Sequence, residues 1–164
     1  MGTALDIDTY PLPKTAHVPG VNDRQSQMML LEQVAAQSLS PTSDLTWREN
    51  PAWLYGLRLL RNGYYWEAHE VFEAVWMNAV PNSRERHLVQ GVIHLANAAL
   101  KVRMDRVDAS LRLCELAEEC FRRSFAQLQT GCLMGLKPGI LSAAAIKIRS
   151  NPPDLSGSGE LTLL

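Results

Sequence analysis

From Pro51 to the end of "CFRRSFAQLQ", apolar residues recur three and four positions apart in successive runs separated by turn residues. No stretch of useful length alternates with the period of two that a half-buried strand needs. Side chains three and four apart share one face of an α-helix, so this chain can bury its apolar surface only by packing helix on helix. The pattern predicts an all-α fold, a compact helical bundle of about five to six helices with short connections.

The punctuation sharpens that expectation. Pro11, Pro13 and Pro19 make residues 1–20 an extended N-terminal arm. "NDRQSQMMLLEQVAAQSL" reads as a first helix with Asn22 as N-cap and Met28, Leu31, Val34 and Ala35 on one face. Asn50 followed by Pro51 is a cap before proline at the first helical position, which predicts a short helix ending near Gly63. The next helix spans Tyr65 to about Asn78 and stops at "VPNS", and Ser83 caps a long successor over 83–104. In "VDASLRLCELAEECFRRSFAQLQ", Ala109, Leu113, Leu116, Cys120 and Phe121 form the predicted packing stripe. "TGCLMGLKPG" reads as a loop and "ILSAAAIKIRS" as a short last helix, so residues 21–150 form one helical domain, followed by a flexible tail over 151–164.

With 164 residues, 46% of them hydrophobic, the chain has enough apolar material for a single core. Its formal charge of -1 provides no overall field to recruit nucleic acid or an anionic membrane. Neither a membrane-spanning apolar run nor a leader pattern is present, and three cysteines without CxxC pairing, Cys114, Cys120 and Cys132, suit a reducing compartment. A cytoplasmic protein is expected, with Cys114 and Cys120 as small apolar fillers.

The chemistry concentrates in "YYWEAHEVFEAVW". On a wheel advancing about 100° per residue, Ala68, Val71, Phe72, Val75 and Ala79 share the core arc, with Tyr65 and Trp76 at its edge. His69 and Glu73 fall just past Trp76, four residues apart, where they can chelate one metal or share one proton. Glu70 lies further round, and Glu67 falls nearly opposite as a solvated residue. In the next helix His87, Gln90, His94, Asn97 and Lys101 make a continuous polar seam, beside which Gly91 admits the close approach of another helix. A seam of His, Gln and Asn fits a partly enclosed polar site better than a solvated face, which is usually Lys and Glu.

Packing the two helices across the Pro81 turn brings His69 and Glu73 toward His94, with Gln90 and His87 as outer members. Two imidazoles and one carboxylate with an open fourth position suit catalytic zinc, and iron or manganese can also be held. Glu70 is the candidate general base that holds the site's water. A small-molecule substrate is then implied. The alternative is a non-enzymatic interaction or scaffold module, in which the same cluster is a buried hydrogen-bond network fixing helix register. In that reading an exposed Leu57 and Leu60 would pair two copies of the chain. Trp66 and Trp76 read as packing residues, and Arg84, Arg86, Arg103 and Arg106 as surface cations. The HExxH signature of zinc proteases is absent because Glu73 stands where the second His is required. The Glu-x-x-His pairs of di-iron bundles are absent as well.

"NGYYWEAHEVFEAVW" followed by "HLVQGVIHLANAALK" resembles the small all-α family called domain of unknown function 309. The resemblance covers roughly residues 53–121, and its motif positions here are Glu67, His69, Glu70, Glu73 and Trp76, then Gln90 and Gly91. It implies an all-α fold and a metal-dependent hydrolase, with Glu67 joining the outer partners of the site. Where that family tends to a Gly-Asn turn and a Gly-Ala helix start, this chain reads "MDRVDASLRL".

Overall fold

The computed structural model describes residues 10–24 and 28–150, so the expectations for the first nine residues and for the tail over 151–164 lie outside the described residues. Six α-helices follow one another: α1 Met28–Ala35, α2 Pro51–Arg61, α3 Tyr65–Met77, α4 Arg84–Arg103, α5 Val107–Phe125 and α6 Pro138–Ser150. A 3-10 turn, Trp47–Glu49, precedes α2. Among the described residues there is no strand, only isolated bridges at Thr42–Ala79 and Leu133–Leu136. The all-α bundle expected from the periodicity is the observed fold. Among the described residues no helix is long and apolar enough to cross a membrane.

Two of the three predicted caps sit where the spacing put them. Asn50 accepts from the Trp53 amide with Pro51 at the start of α2, and Ser83 accepts from the Arg86 amide at the start of α4. Asn22 does not cap α1. Its side chain accepts from the Val18 amide and donates to the Ala16 carbonyl, folding the arm upon itself instead. A short polar side chain in an irregular segment finds local backbone partners first.

α4 lies at the centre, packed against α3, α5 and α6, while α3 also meets α1 and α2. α5 keeps part of the predicted stripe, with Cys120 and Phe121 buried and Leu113 packed against the core, but Leu116 is exposed and the buried face is completed by Ser110, Cys114, Ala117 and Ser124. Small residues let α5 approach α4 closely, and the hydroxyls that make Ser110 and Ser124 look polar are consumed on the Ala98 and Cys120 carbonyls. Cys114 and Cys120 are buried free thiols, as fillers should be, and burial pushes Cys114 up to about 11. The turn that departs from the resembled family still closes, with Asp105 at φ 56 taking the left-handed conformation that Gly or Asn takes more easily.

The predicted close approach at Gly91 is present: a Cβ there would stand 2.4 Å from the Phe121 ring and 3.1 Å from the Cys120 Cβ. Gly91→Ala is expected to destabilise the protein by about 1–3 kcal/mol, because a buried ring must move and α5 with it. Urea denaturation checks this, and an unchanged midpoint would refute the tight α4–α5 contact.

Three of the four arginines are not solvated surface cations. Arg84 donates to the Ser124 and Ala126 carbonyls, Arg86 to those of Trp76 and Ala79, and Arg103 to that of Gly63. Carbonyls left over at helix ends and loops need donors, and the long stems of α4's arginines reach them. Leu57 and Leu60 are also corrected. Both are buried, 5% and 0% exposed, so they cannot form the surface that was to pair two copies.

Candidate functional site

α4 runs back along α3. Arg86 near its start bonds the end of α3 and stacks 3.9 Å over the Trp76 ring. One turn further on, Gln90 and His94 share a cleft of about 290 Å³ with Glu73, Trp76, Met77 and Ile93. The predicted meeting of the first helix's polar edge with the second helix's seam therefore occurs at Glu73, Gln90 and His94. His69 flanks the cleft and is held from both sides, its Nε2 3.2 Å from Glu73 and its Nδ1 3.2 Å from Glu70. A neutral ring can donate to only one of these carboxylates, whereas an imidazolium satisfies both.

His94 is half-buried, and desolvation first, then the charge of the neighbouring His69, lowers its pKa from the usual imidazole value. It is therefore a neutral hydrogen-bond acceptor at pH 7 and stays one at lower pH than a free imidazole. Trp76 adds an indole N–H that is buried without a partner among the described residues.

Other predicted members fall elsewhere. Glu70 bonds His69 but lines a crevice against α1 with Met28, Leu31 and Ala35, not the Glu73–His94 cleft. His87, Asn97 and Lys101 remain half-buried along α4 without lining the cleft. Glu67 is not solvated at all: it is 0% exposed, and its Oε1 accepts from the His17 amide at 2.7 Å. The wheel placed it nearly opposite the site edge as a solvated residue, but that side is roofed by the N-terminal arm. The arm is fastened further by Tyr55, which donates to the Pro11 carbonyl, and by Arg58, which donates to that of Tyr10. Burial raises the Glu67 carboxyl to about 7, opposed by the His17 amide and more weakly by Arg103.

Each His69 nitrogen is engaged by a carboxylate. Among the described residues no three or more His, Cys, Asp or Glu side chains stand together as metal ligands would. The cleft offers a carboxylate, a neutral imidazole and an amide around a space with apolar walls. Sequence reasoning placed Trp76 at the edge of the core arc but took it only as packing, and it missed Met77 and Ile93. The only available signal was the position of Trp76 beside His69 on the wheel.

This is an all-α domain whose two central helices enclose a polar cleft beside a His/Glu cluster. Residues 53–113 match the family model described as Domain of unknown function (DUF309), the family that the α3 and α4 motifs resemble. The match takes in α2, α3, α4 and the first part of α5. No curated protein and no solved structure matches the chain.

Proposed function

We propose that the α3–α4 cleft binds a small, partly apolar molecule and acts on it by proton transfer. In this reading His94 accepts the proton and His69, oriented by Glu70 and Glu73, donates one. The observation that supports it most is the pairing of two imidazoles in opposed settings. One is half-buried and pushed toward its neutral form; the other is held between two carboxylates. Titratable neighbours whose environments differ in this way divide acid and base roles. Hydrolysis of an acyl group suits such a pair: His94 takes a proton from water as it attacks the carbonyl carbon, and a proton from His69 goes to the leaving oxygen. Gln90 would orient the substrate.

Metal-dependent hydrolysis, which the resemblance implies, requires His69 to release one carboxylate so that a nitrogen can turn to an ion with Glu73 and His94. The scaffold reading is less well supported by the bonding. Both bonds of His69 stay within α3, and a network confined to one helix cannot set its register against another. That register is instead held by Arg86 across the turn.

Hydrolysis of 4-nitrophenyl acetate, with chelator or with added zinc, separates the three. The expected result is turnover that chelator leaves intact, that persists below the pH at which free imidazole loses its activity, and that falls about 100-fold or more in His94→Gln. Turnover that appears only with stoichiometric zinc and vanishes in His69→Ala would replace proton transfer by metal chemistry. Absence of any turnover above that of His94→Gln would leave the scaffold reading.

A further inference from the structure

A second cleft, of about 440 Å³, shares no residue with the α3–α4 site. Trp47, Leu54, Leu57 and Met134 give it apolar walls, and Arg58 and Arg61 stand at its edge, three residues apart on α2. We propose that this cleft binds a small organic anion, an apolar body bearing one carboxylate, with Arg61 taking the charge.

The far wall is a built one. Residues 133–136 form a tight turn in which Leu133 and Leu136 exchange both backbone hydrogen bonds at 2.9 Å. Met134 is held at φ 46, a left-handed conformation that a non-glycine side chain resists. Two long-range bonds hold it there: its amide donates to Asp44 at 2.5 Å and its carbonyl accepts from the Trp53 indole at 3.1 Å. Gly135, at φ 81, is obligatory for a second reason, since a Cβ would lie 2.6 Å from the Trp47 ring. The Trp47 ring and the turn are therefore locked together, and the cleft between them and α2 exists before any ligand arrives. Preformed, mostly apolar clefts of this size with a few charged groups are the usual form of small-molecule sites.

The charge argument fixes the ligand class. Among the described residues no acidic side chain lines the cleft. Arg58 is committed to the arm through the Tyr10 carbonyl, whereas Arg61 is exposed and has no hydrogen-bond or ion-pair partner among the described residues. A guanidinium beside an apolar wall pairs with a carboxylate whose hydrocarbon part lies against Trp47 and Leu54. Arg61 also complements the carbonyl end of α2, a role that needs no ligand, so the test must depend on ligand charge.

Octanoate and 1-octanol are the probes, followed by amide chemical shifts in the intact protein and in Arg61→Glu. Octanoate is expected to give saturable shifts at Trp47, Leu54 and Gly135, binding about tenfold more tightly than octanol. Arg61→Glu should remove that tenfold preference and leave octanol unchanged; Arg61→Gln gives the same ordering should the Glu variant fail to fold. Equal binding of the two probes, shifts confined to the α3–α4 cleft, or no saturable shift at all would overturn the proposal.

Discussion

Glu67→Gln is expected to remove about 3 kcal/mol of pH dependence from the stability of this protein between about pH 4.5 and 7. The wild-type carboxyl has no exposed surface and its Oε2 has no partner among the described residues. Burial raises it from 4.5 to about 7. Between those values the folded chain holds a proton that the unfolded chain has released, so folding binds protons. Glu67 therefore contributes its full stability below pH 4.5 and loses it as pH rises through 7. A neutral amide of the same shape can still accept from the His17 amide, but it has no such loss. The groups that face Glu67 are the His17 amide from the arm, Arg103 from α4 and Tyr55 from α2, whose hydroxyl is itself pushed up to about 12, chiefly by burial. Arg103 opposes the shift and Tyr55 stays neutral through the window, so neither supplies the slope. Urea denaturation of both proteins from about pH 4 to 8 checks this, because carboxylates with the opposite sign, such as Glu119, cancel in the difference. Parallel profiles would mean that folding does not shift the titration of the Glu67 carboxyl.

Trp53→Ala is expected to cost about 3–5 kcal/mol. The indole is fully buried, packs 5.4 Å from the Phe72 ring between α2 and α3, and donates to the Met134 carbonyl across 81 residues of sequence. Trp53→Phe separates the two contributions. It keeps most of the apolar contact and leaves that buried carbonyl without its donor, for about 1–3 kcal/mol. The same substitution should speed amide exchange at Leu133 and Leu136, whose paired bonds depend on Met134 staying in its left-handed state. If Trp53→Phe were as stable as wild type with exchange unchanged, the turn would be held by Asp44 alone, and the preformed wall of the second cleft would lose half its support.

The parts of the site that were legible in the sequence are those whose geometry is intrahelical. His69 and Glu73 are one turn apart on any α-helix, so their 3.2 Å contact follows once α3 forms. Glu73, Gln90 and His94 meet in one cleft because a short turn folds α4 back on α3, and the Pro81 turn announced that. Glu70 was harder to place. The wheel put it past the seam, but only the position of α1 decides that it lines another crevice. The stripe on α5 was read only in part, because a serine whose hydroxyl is bonded to a carbonyl packs as a small residue, and composition scores it as polar.

The sequence by itself determined that this chain is helical, where α2 and α4 begin, and which edge of α3 carries imidazole and carboxylate. Helical period and cap chemistry are local, and local rules are written residue by residue. Only the tertiary structure decided what covers each face. An arm whose prolines showed nothing but extension roofs Glu67, and a turn far down the chain, pinned by Trp53 and Asp44, closes a cleft against α2. A wheel gives the direction of a side chain, whereas its burial and its charge state depend on which distant segment comes to lie against it.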